Sequence, residues 1–259
     1  MTKKVSEMSP DEIKMAVRDT YAGLAGKSDG DCGCGPPAAK SSCCGPPSES
    51  FQESKLKEYG YSIEGLPASL TESNGSCGNP LALASLKEGE TVLDLGSGAG
   101  LDAFFASQKV GESGKVIGID MTPEMLEKAR KNIDEMGVTN IEFRQGDIEA
   151  LSVEDSTIDV IISNCVINLA PNKAAVFKES YRVLKPGGRM MVSDIVLKDT
   201  LPDSVRDEVA SYTGCIGGAI PEEEYLQLMR DAGFIDVHVA EKAGYDIAVS
   251  AKIAATKPL

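Results

Sequence analysis

The chain has 259 residues, with 26 Lys and Arg against 40 Asp and Glu, giving a formal charge of −14 and a pI near 4.6. That balance removes the electrostatic footing for binding nucleic acid or an anionic membrane. A hydrophobic content of 42% supports a sizeable core rather than wholesale disorder. The opening MTKKVSEMSPDEIKMAVRDT is repeatedly interrupted by charge, and no segment offers the apolar block of a secretory signal or a membrane span. The expectation is a soluble cytoplasmic protein with neither nucleic acid nor membrane as partner. In a reducing compartment, seven cysteines read as free thiols for metal ligation, nucleophilic chemistry or redox turnover rather than as a disulfide framework. His238 is the single histidine and falls in the alternating FIDVHVA, where a strand residue is the simplest reading. Sites built from several imidazoles therefore have nothing to draw on.

In chain order, Ser9 is a candidate N-cap, with Pro10 at the first helical position and Asp11 and Glu12 in the first turn; Ile13, Val17, Tyr21 and Leu24 form one stripe. Residues 28–50 change character to a Gly/Pro-rich loop bearing Cys32, Cys34, Cys43 and Cys44. A short helix is expected over Gln52 to Tyr59. From Glu90 the pattern alternates regularly. TVLDL, KVIGID, IEFRQGD, IDVIISN and RMMVSDIV read as strands, and LDAFFASQKV, PEMLEKARKNIDEMG with Thr122 as N-cap, and KAAVFKESYRVL read as helices. Lys185-Pro186-Gly187-Gly188 reads as a turn, and a last helix precedes two closely spaced strands that favour antiparallel pairing. The fold class is α/β: a doubly wound, mostly parallel, seven-stranded, Rossmann-like sheet over residues 79–259, preceded by a helical, Cys-rich extension over residues 1–78.

The strongest chemical signal is Val92-Leu93-Asp94-Leu95-Gly96-Ser97-Gly98-Ala99-Gly100, a buried strand running into glycines that bring backbone N–H groups against a ligand. Asp120 ends the next strand, 20 positions after Gly100, where an acidic residue takes a ribose hydroxyl in such folds. The spacing G-x-G-x-G departs from the dinucleotide fingerprint G-x-G-x-x-G and argues against NAD. From Glu90 to Lys257 the sequence resembles the class I S-adenosylmethionine-dependent methyltransferases. That resemblance implies S-adenosylmethionine as cofactor. Asp94, Gly96, Ser97 and Gly98 would face its methionine part, Asp120 the ribose, Met121, Asp147 and Ile148 the adenine, and Asn164 the reactive methyl.

Three cysteines lie outside the loop: Cys77 in SNGSCGNP, Cys165 in IISNCVINL and Cys215 in SYTGCIGGA. None forms a C-x-x-C pair, so a zinc knuckle fails on spacing. Each alone reads most simply as a small buried hydrophobe. Cys165 ends a central strand where open α/β sheets bind ligands, and the turns bearing Cys77 and Cys215 could close over the same crevice. Three thiolates beside a methyl sulfonium would favour a thiophilic centre such as trivalent arsenic. Taken in order, SCGNP, TVLDLGSGAG through VIGIDMTPEMLEKAR, ISNCVINL, RVLKPGG and YTGCIGGA resemble the prokaryotic arsenite methyltransferases. VRDTYAGLAG followed by a Cys-rich loop resembles that family's N-terminus. This resemblance implies arsenite or its thiol conjugates as acceptor, with Cys77, Cys165 and Cys215 holding arsenic(III). It also implies Cys44, with Cys43 beside it, as the N-terminal redox thiol, the C-G-C of Cys32 to Cys34 staying open as the alternative. Because each methylation takes arsenic from trivalent to pentavalent, returning two electrons would leave a disulfide, Cys44 with Cys77, to be reopened by thioredoxin or another thiol reductant. Two alternatives stay open: a methyltransferase acting on carbon or oxygen of a small metabolite, and a non-enzymatic metalloid-binding protein.

Overall fold

The computed structural model describes residues 3–26, 51–71, 76–244 and 247–259. A single sheet runs through the molecule, with strands β1 (Thr91–Leu95), β2 (Lys115–Asp120), β3 (Ile141–Gln145), β4 (Ile158–Asn164), β5 (Leu184–Leu197), β6 (Ile235–Ala243) and β7 (Ala248–Thr256). Their spatial order is β3-β2-β1-β4-β5-β7-β6. The first five are parallel, and β7 enters antiparallel between β5 and β6. The terminal hairpin therefore pairs as its short connection requires. The expected turn at Lys185–Gly188 lies instead within β5, with the register shifting between Ile158 and Val160 of its neighbour β4.

Alternating side chains send β1 and β2 into both faces. Leu93, Leu95, Ile117 and Ile119 join one core layer with Phe177 and Tyr225, while Val92 and Val116 join the other with Ala103, Ala106 and Val110. Burial on both faces explains the near-continuous apolar runs of the parallel strands. The helices Leu101–Val110, Pro123–Glu135, Lys173–Val183 and Glu222–Asp231 lie where their apolar periodicity places them. Thr122 stands at the N-cap position of the second of these, yet its side chain makes no capping bond. The chain leaves β1 towards β2 and β3, then returns to add β4 on the other side, so the crevice at the carboxyl ends of β1 and β4 is the topological switch point.

The N-terminal helix, Pro10–Ala25, begins with a full capping box. The Glu12 N–H donates to Ser9 Oγ at 3.3 Å, and the Ser9 N–H donates to Glu12 Oε2 at 2.7 Å. Ile13, Val17 and Tyr21 of its expected stripe pack inward, whereas Leu24 is exposed.

Candidate active site

An open cleft lies over the switch point. The glycine turn after β1 forms its floor. Gly96 has φ +67°, and a Cβ there would lie 2.7 Å from Val166 Cβ, so only glycine fits. Gly98 has φ +51°, but a Cβ there would meet no atom within 4 Å because the position opens onto the cleft. The Gly98 N–H donates to Asp120 Oδ2 at 2.9 Å and the Thr122 N–H to Asp120 Oδ1 at 2.8 Å, which fixes the acid at the end of β2. Asp120 nevertheless sits above its ordinary range because burial disfavours its charge. Asp94 is also fully buried. Burial first, then repulsion from Asp102 and Asp120, holds its carboxyl well above the usual range, and its Oδ2 has no hydrogen-bond partner. Ser97 Oγ is likewise buried without a partner. Ser97, Asp102 and Asp120 line the cleft while Asp94 lies buried behind it, and this unpartnered hydroxyl and crowd of carboxyls fit a ligand that brings hydroxyl groups and positive charge.

Met121, Asp147 and Ile148 line the cleft beyond Asp120. Asp147 takes the Lys14 ammonium at 2.6 Å and the Glu149 N–H at 2.8 Å, while Lys14 also reaches Glu149 at 2.6 Å. Asn164, expected beside a reactive methyl, borders the cleft but spends its amide on the protein. Its Nδ2 donates to Gly78 O at 2.9 Å and Asp102 Oδ2 at 3.0 Å, and its Oδ1 accepts the Cys77 N–H at 3.2 Å. Tyr61 donates to Asp102 Oδ1 at 2.5 Å, closing a buried network beneath the Cys77 loop.

The cysteines come together. Cys77, Cys165 and Cys215, drawn from three distant segments, are all buried in one cluster with Val17, Leu169 and Tyr212. Cys77 and Cys165 are joined as a disulfide, with Cα atoms 5.7 Å apart, and Cys215 is the free thiol among the described residues. The expectation of a free thiol is corrected here for Cys77 and Cys165, because the loop pinned by Asn164 lays the Cys77 sulfur over the end of β4; the expected Cys44–Cys77 exchange falls on Cys44, outside the described residues. Cys165 sits immediately after β4 with φ +60°, and its N–H donates to Ser193 O at 2.8 Å. Cys215 has φ +68°, and its thiol donates to Cys165 O at 2.8 Å. Gly218 follows because its Cα passes against Asn168, where a Cβ would overlap the carbonyl oxygen. Burial pushes the Cys215 thiol up to about 12, with the charge of Asp194 adding to it. Cys32, Cys34, Cys43 and Cys44 lie outside the described residues.

Four contributors escaped sequence reasoning: Asp102, Asp194, Lys14 and Tyr21. A carboxylate oxygen of Asp194 lies within 4.8 Å of the sulfurs of Cys77 and Cys165. Asp194 is fully buried and its carboxyl is raised to about 7 by burial, against hydrogen bonds from Ile195 and Asn168 and the nearby Lys173. Its signal was an acid inside the apolar run RMMVSDIVL. Lys14 and Tyr21 carried none, since a helix stripe does not say which cleft it will cover.

A methyltransferase domain family matches residues 86–233. The chain belongs to this family, the class I S-adenosylmethionine-dependent methyltransferases. An arsenite methyltransferase of Halobacterium salinarum is 44% identical over 245 residues, covering 92% of this chain and 61% of that protein. One from Aquipseudomonas alcaligenes is 42% identical over 182 residues, covering 68% and 52% respectively. Each of these relatives is thus spanned over less than two thirds of its length. The solved arsenic(III) S-adenosylmethionine methyltransferase of Chlamydomonas reinhardtii superposes with a TM-score of 0.67 at 38% identity, covering 76% of this chain and 72% of that one.

Proposed function

We propose that this chain transfers methyl groups from S-adenosylmethionine to thiol-bound trivalent arsenic, giving methylated arsenicals. The observation that carries the reading is the burial of Cys77, Cys165 and Cys215 in one cluster at the edge of the cleft that the glycine turn of β1 floors. A general methyltransferase has no need of cysteine at all three places. The similarity to arsenite methyltransferases over most of the chain supports the same acceptor.

S-adenosylmethionine would supply an electrophilic methyl on a cationic sulfur. The chain's own residues do the rest. Gly96, Ser97 and Gly98 shape the floor, Asp120 offers acceptors for ribose hydroxyls, and the buried Asp94 and Asp102 favour a cationic ligand. Asp147 and Ile148, with Met121, would border the adenine. Three thiolates on arsenic leave its lone pair free to attack the methyl in line with the departing sulfur, and no general base is required. Positioning in a desolvated cleft supplies the rate.

The Cys77–Cys165 disulfide must be reduced before arsenic can take three sulfurs. Two electrons and two protons from an external dithiol convert it to two thiols, and the donor becomes a disulfide. Methylation itself raises arsenic from trivalent to pentavalent, so each further methyl also needs two electrons. Cys44, with Cys43, is the proposed internal donor, regenerated by thioredoxin or a similar thiol, and the cytoplasm is the compartment that sustains such chemistry. The test is binding of arsenite to the reduced protein. Cys165→Ser and Cys215→Ser should each weaken arsenite far more than S-adenosylmethionine. Wild-type affinity in both variants refutes the three-thiolate site.

A further inference from the structure

We infer that Asp102 is a positioning residue for Cys77, acting through Asn164; the inference rests on the arsenic reading of the cysteine cluster. Asp102 is the second residue of the helix Leu101–Val110, directly after the glycine turn, and is 8% exposed. One of its carboxylate oxygens, Oδ1, accepts the Tyr61 hydroxyl at 2.5 Å, and the other, Oδ2, accepts a side-chain N–H of Asn164 at 3.0 Å. The Asn164 amide has two unlike ends, and only one of them fits beside a carboxylate. With Nδ2 held by Asp102 Oδ2 and by Gly78 O at 2.9 Å, Oδ1 is turned to the Cys77 N–H at 3.2 Å. A flipped amide would set its oxygen against the Asp102 carboxylate and its own N–H against that of Cys77. Asp102 therefore decides which end of Asn164 meets the cysteine loop.

The backbone on both sides of the Cys77 sulfur is clamped in this way. The Tyr61 hydroxyl that meets Asp102 also lies 3.3 Å from Gly78 O, and Ser250 of β7 donates to Cys77 O. In the disulfide, the covalent tie to Cys165 holds the Cys77 sulfur as well. Arsenic needs that tie broken. An external dithiol supplies two electrons and two protons, the S–S bond gives two S–H groups, and the donor closes its own disulfide. Once the bond is open, only the backbone clamp keeps the Cys77 sulfur beside Cys165, so the clamp carries the preorganisation of the reduced site. Asp102 thus has a second role on the acceptor side, apart from its charge at the cofactor cleft that it lines.

Asp102→Leu keeps nearly the same shape and removes both acceptors, whereas Asp102→Asn keeps an oxygen for Asn164 and offers an N–H to the Tyr61 oxygen. Five full-length proteins are compared under reducing conditions: wild type, Asp102→Leu, Asp102→Asn, Cys77→Ser and the Cys77→Ser/Asp102→Leu double variant. Each is titrated with arsenite in the absence of S-adenosylmethionine, so a weakened cofactor site does not enter the reading. The expected result is arsenite affinity weakened about tenfold by Asp102→Leu, as for losing a hydrogen bond to a charged group, and by no more than about threefold in Asp102→Asn. In the Cys77→Ser background Asp102→Leu should add no loss. Equal losses in the two backgrounds would place the effect elsewhere than Cys77 and overturn the inference. So would wild-type affinity in Asp102→Leu, or an Asp102→Asn as weak as Asp102→Leu. Should Asp102→Leu fail to unfold cooperatively, Asp102→Ser takes its place in the same cycle, since one short hydroxyl does not meet Tyr61 and Asn164 together. If reduced wild type takes S-adenosylmethionine but no arsenite, the acceptor reading itself has failed, and the inference falls with it before any variant is compared.

Discussion

At the residue scale, the glycine turn separates two roles that the spacing alone merges. A side chain at Gly96 runs into Val166, so the fold requires glycine there, whereas one at Gly98 enters open cleft, where the proposed cofactor would meet it. Gly98→Val should therefore abolish S-adenosylmethionine binding, read by calorimetry, while the protein still unfolds cooperatively; the left-handed backbone at φ +51° would cost it about 1–2 kcal/mol. Gly96→Val should instead fail in thermal denaturation before binding becomes the question. Wild-type affinity in a folded Gly98→Val protein would contradict the assigned turn. The placement of the motif was legible here because Asp94, the glycines and Asp120 are local signals set by the ends of β1 and β2. The disulfide between Cys77 and Cys165 was not legible, since it depends on Asn164 pinning a loop 87 residues away.

At the scale of elements, the strands and principal helices followed from periodicity and caps, down to the Ser9–Glu12 box. What periodicity could not reveal was the destination of the N-terminal helix. Its stripe predicted only that it packs against something, and the structure shows it roofing the cleft through Lys14, Val17 and Tyr21. Lys14→Met removes both ion pairs of this roof, and with Lys14 24% exposed at its side chain the loss should be about 1 kcal/mol. Hydrogen exchange should quicken over residues 10–25 with little change in β1 and β4. Unaltered exchange in the helix would mean that the apolar contacts of Val17 alone hold the roof down. The short helices Asp203–Arg206 and Val209–Thr213, which lead into Cys215, were missed because segments of four or five residues carry no periodicity to read.

Over the whole molecule, burial of acids makes stability depend on pH in a definite direction. The Asp194 carboxyl rises from 3.8 to about 7 in the folded state, so the native protein holds a proton that the unfolded chain releases. Its contribution is fully present below about pH 4 and is lost as pH rises through about 7. Thermal midpoints measured from pH 4.5 to 7.5 should therefore fall more steeply for wild type than for Asp194→Asn; parallel curves would show that Asp194 is ionised throughout. The doubly wound sheet itself was legible from alternating strands and helices, whereas the insertion of β7 between β5 and β6 was not, because hairpin closeness fixes pairing but not which strand takes the inner place. The same long-range closure that hides this order brings three cysteines into one buried cluster, of which Cys165 lines the cleft, and their joint use is the central claim. The direct measurement is incubation of the reduced wild-type protein with arsenite, a dithiol and S-adenosylmethionine, followed by chromatographic speciation of arsenic. The expected result is methylated arsenic, with one S-adenosylhomocysteine formed per methyl transferred, and none of either product from Cys165→Ser. Bound but unconsumed S-adenosylmethionine, with arsenite recovered unchanged, would contradict it.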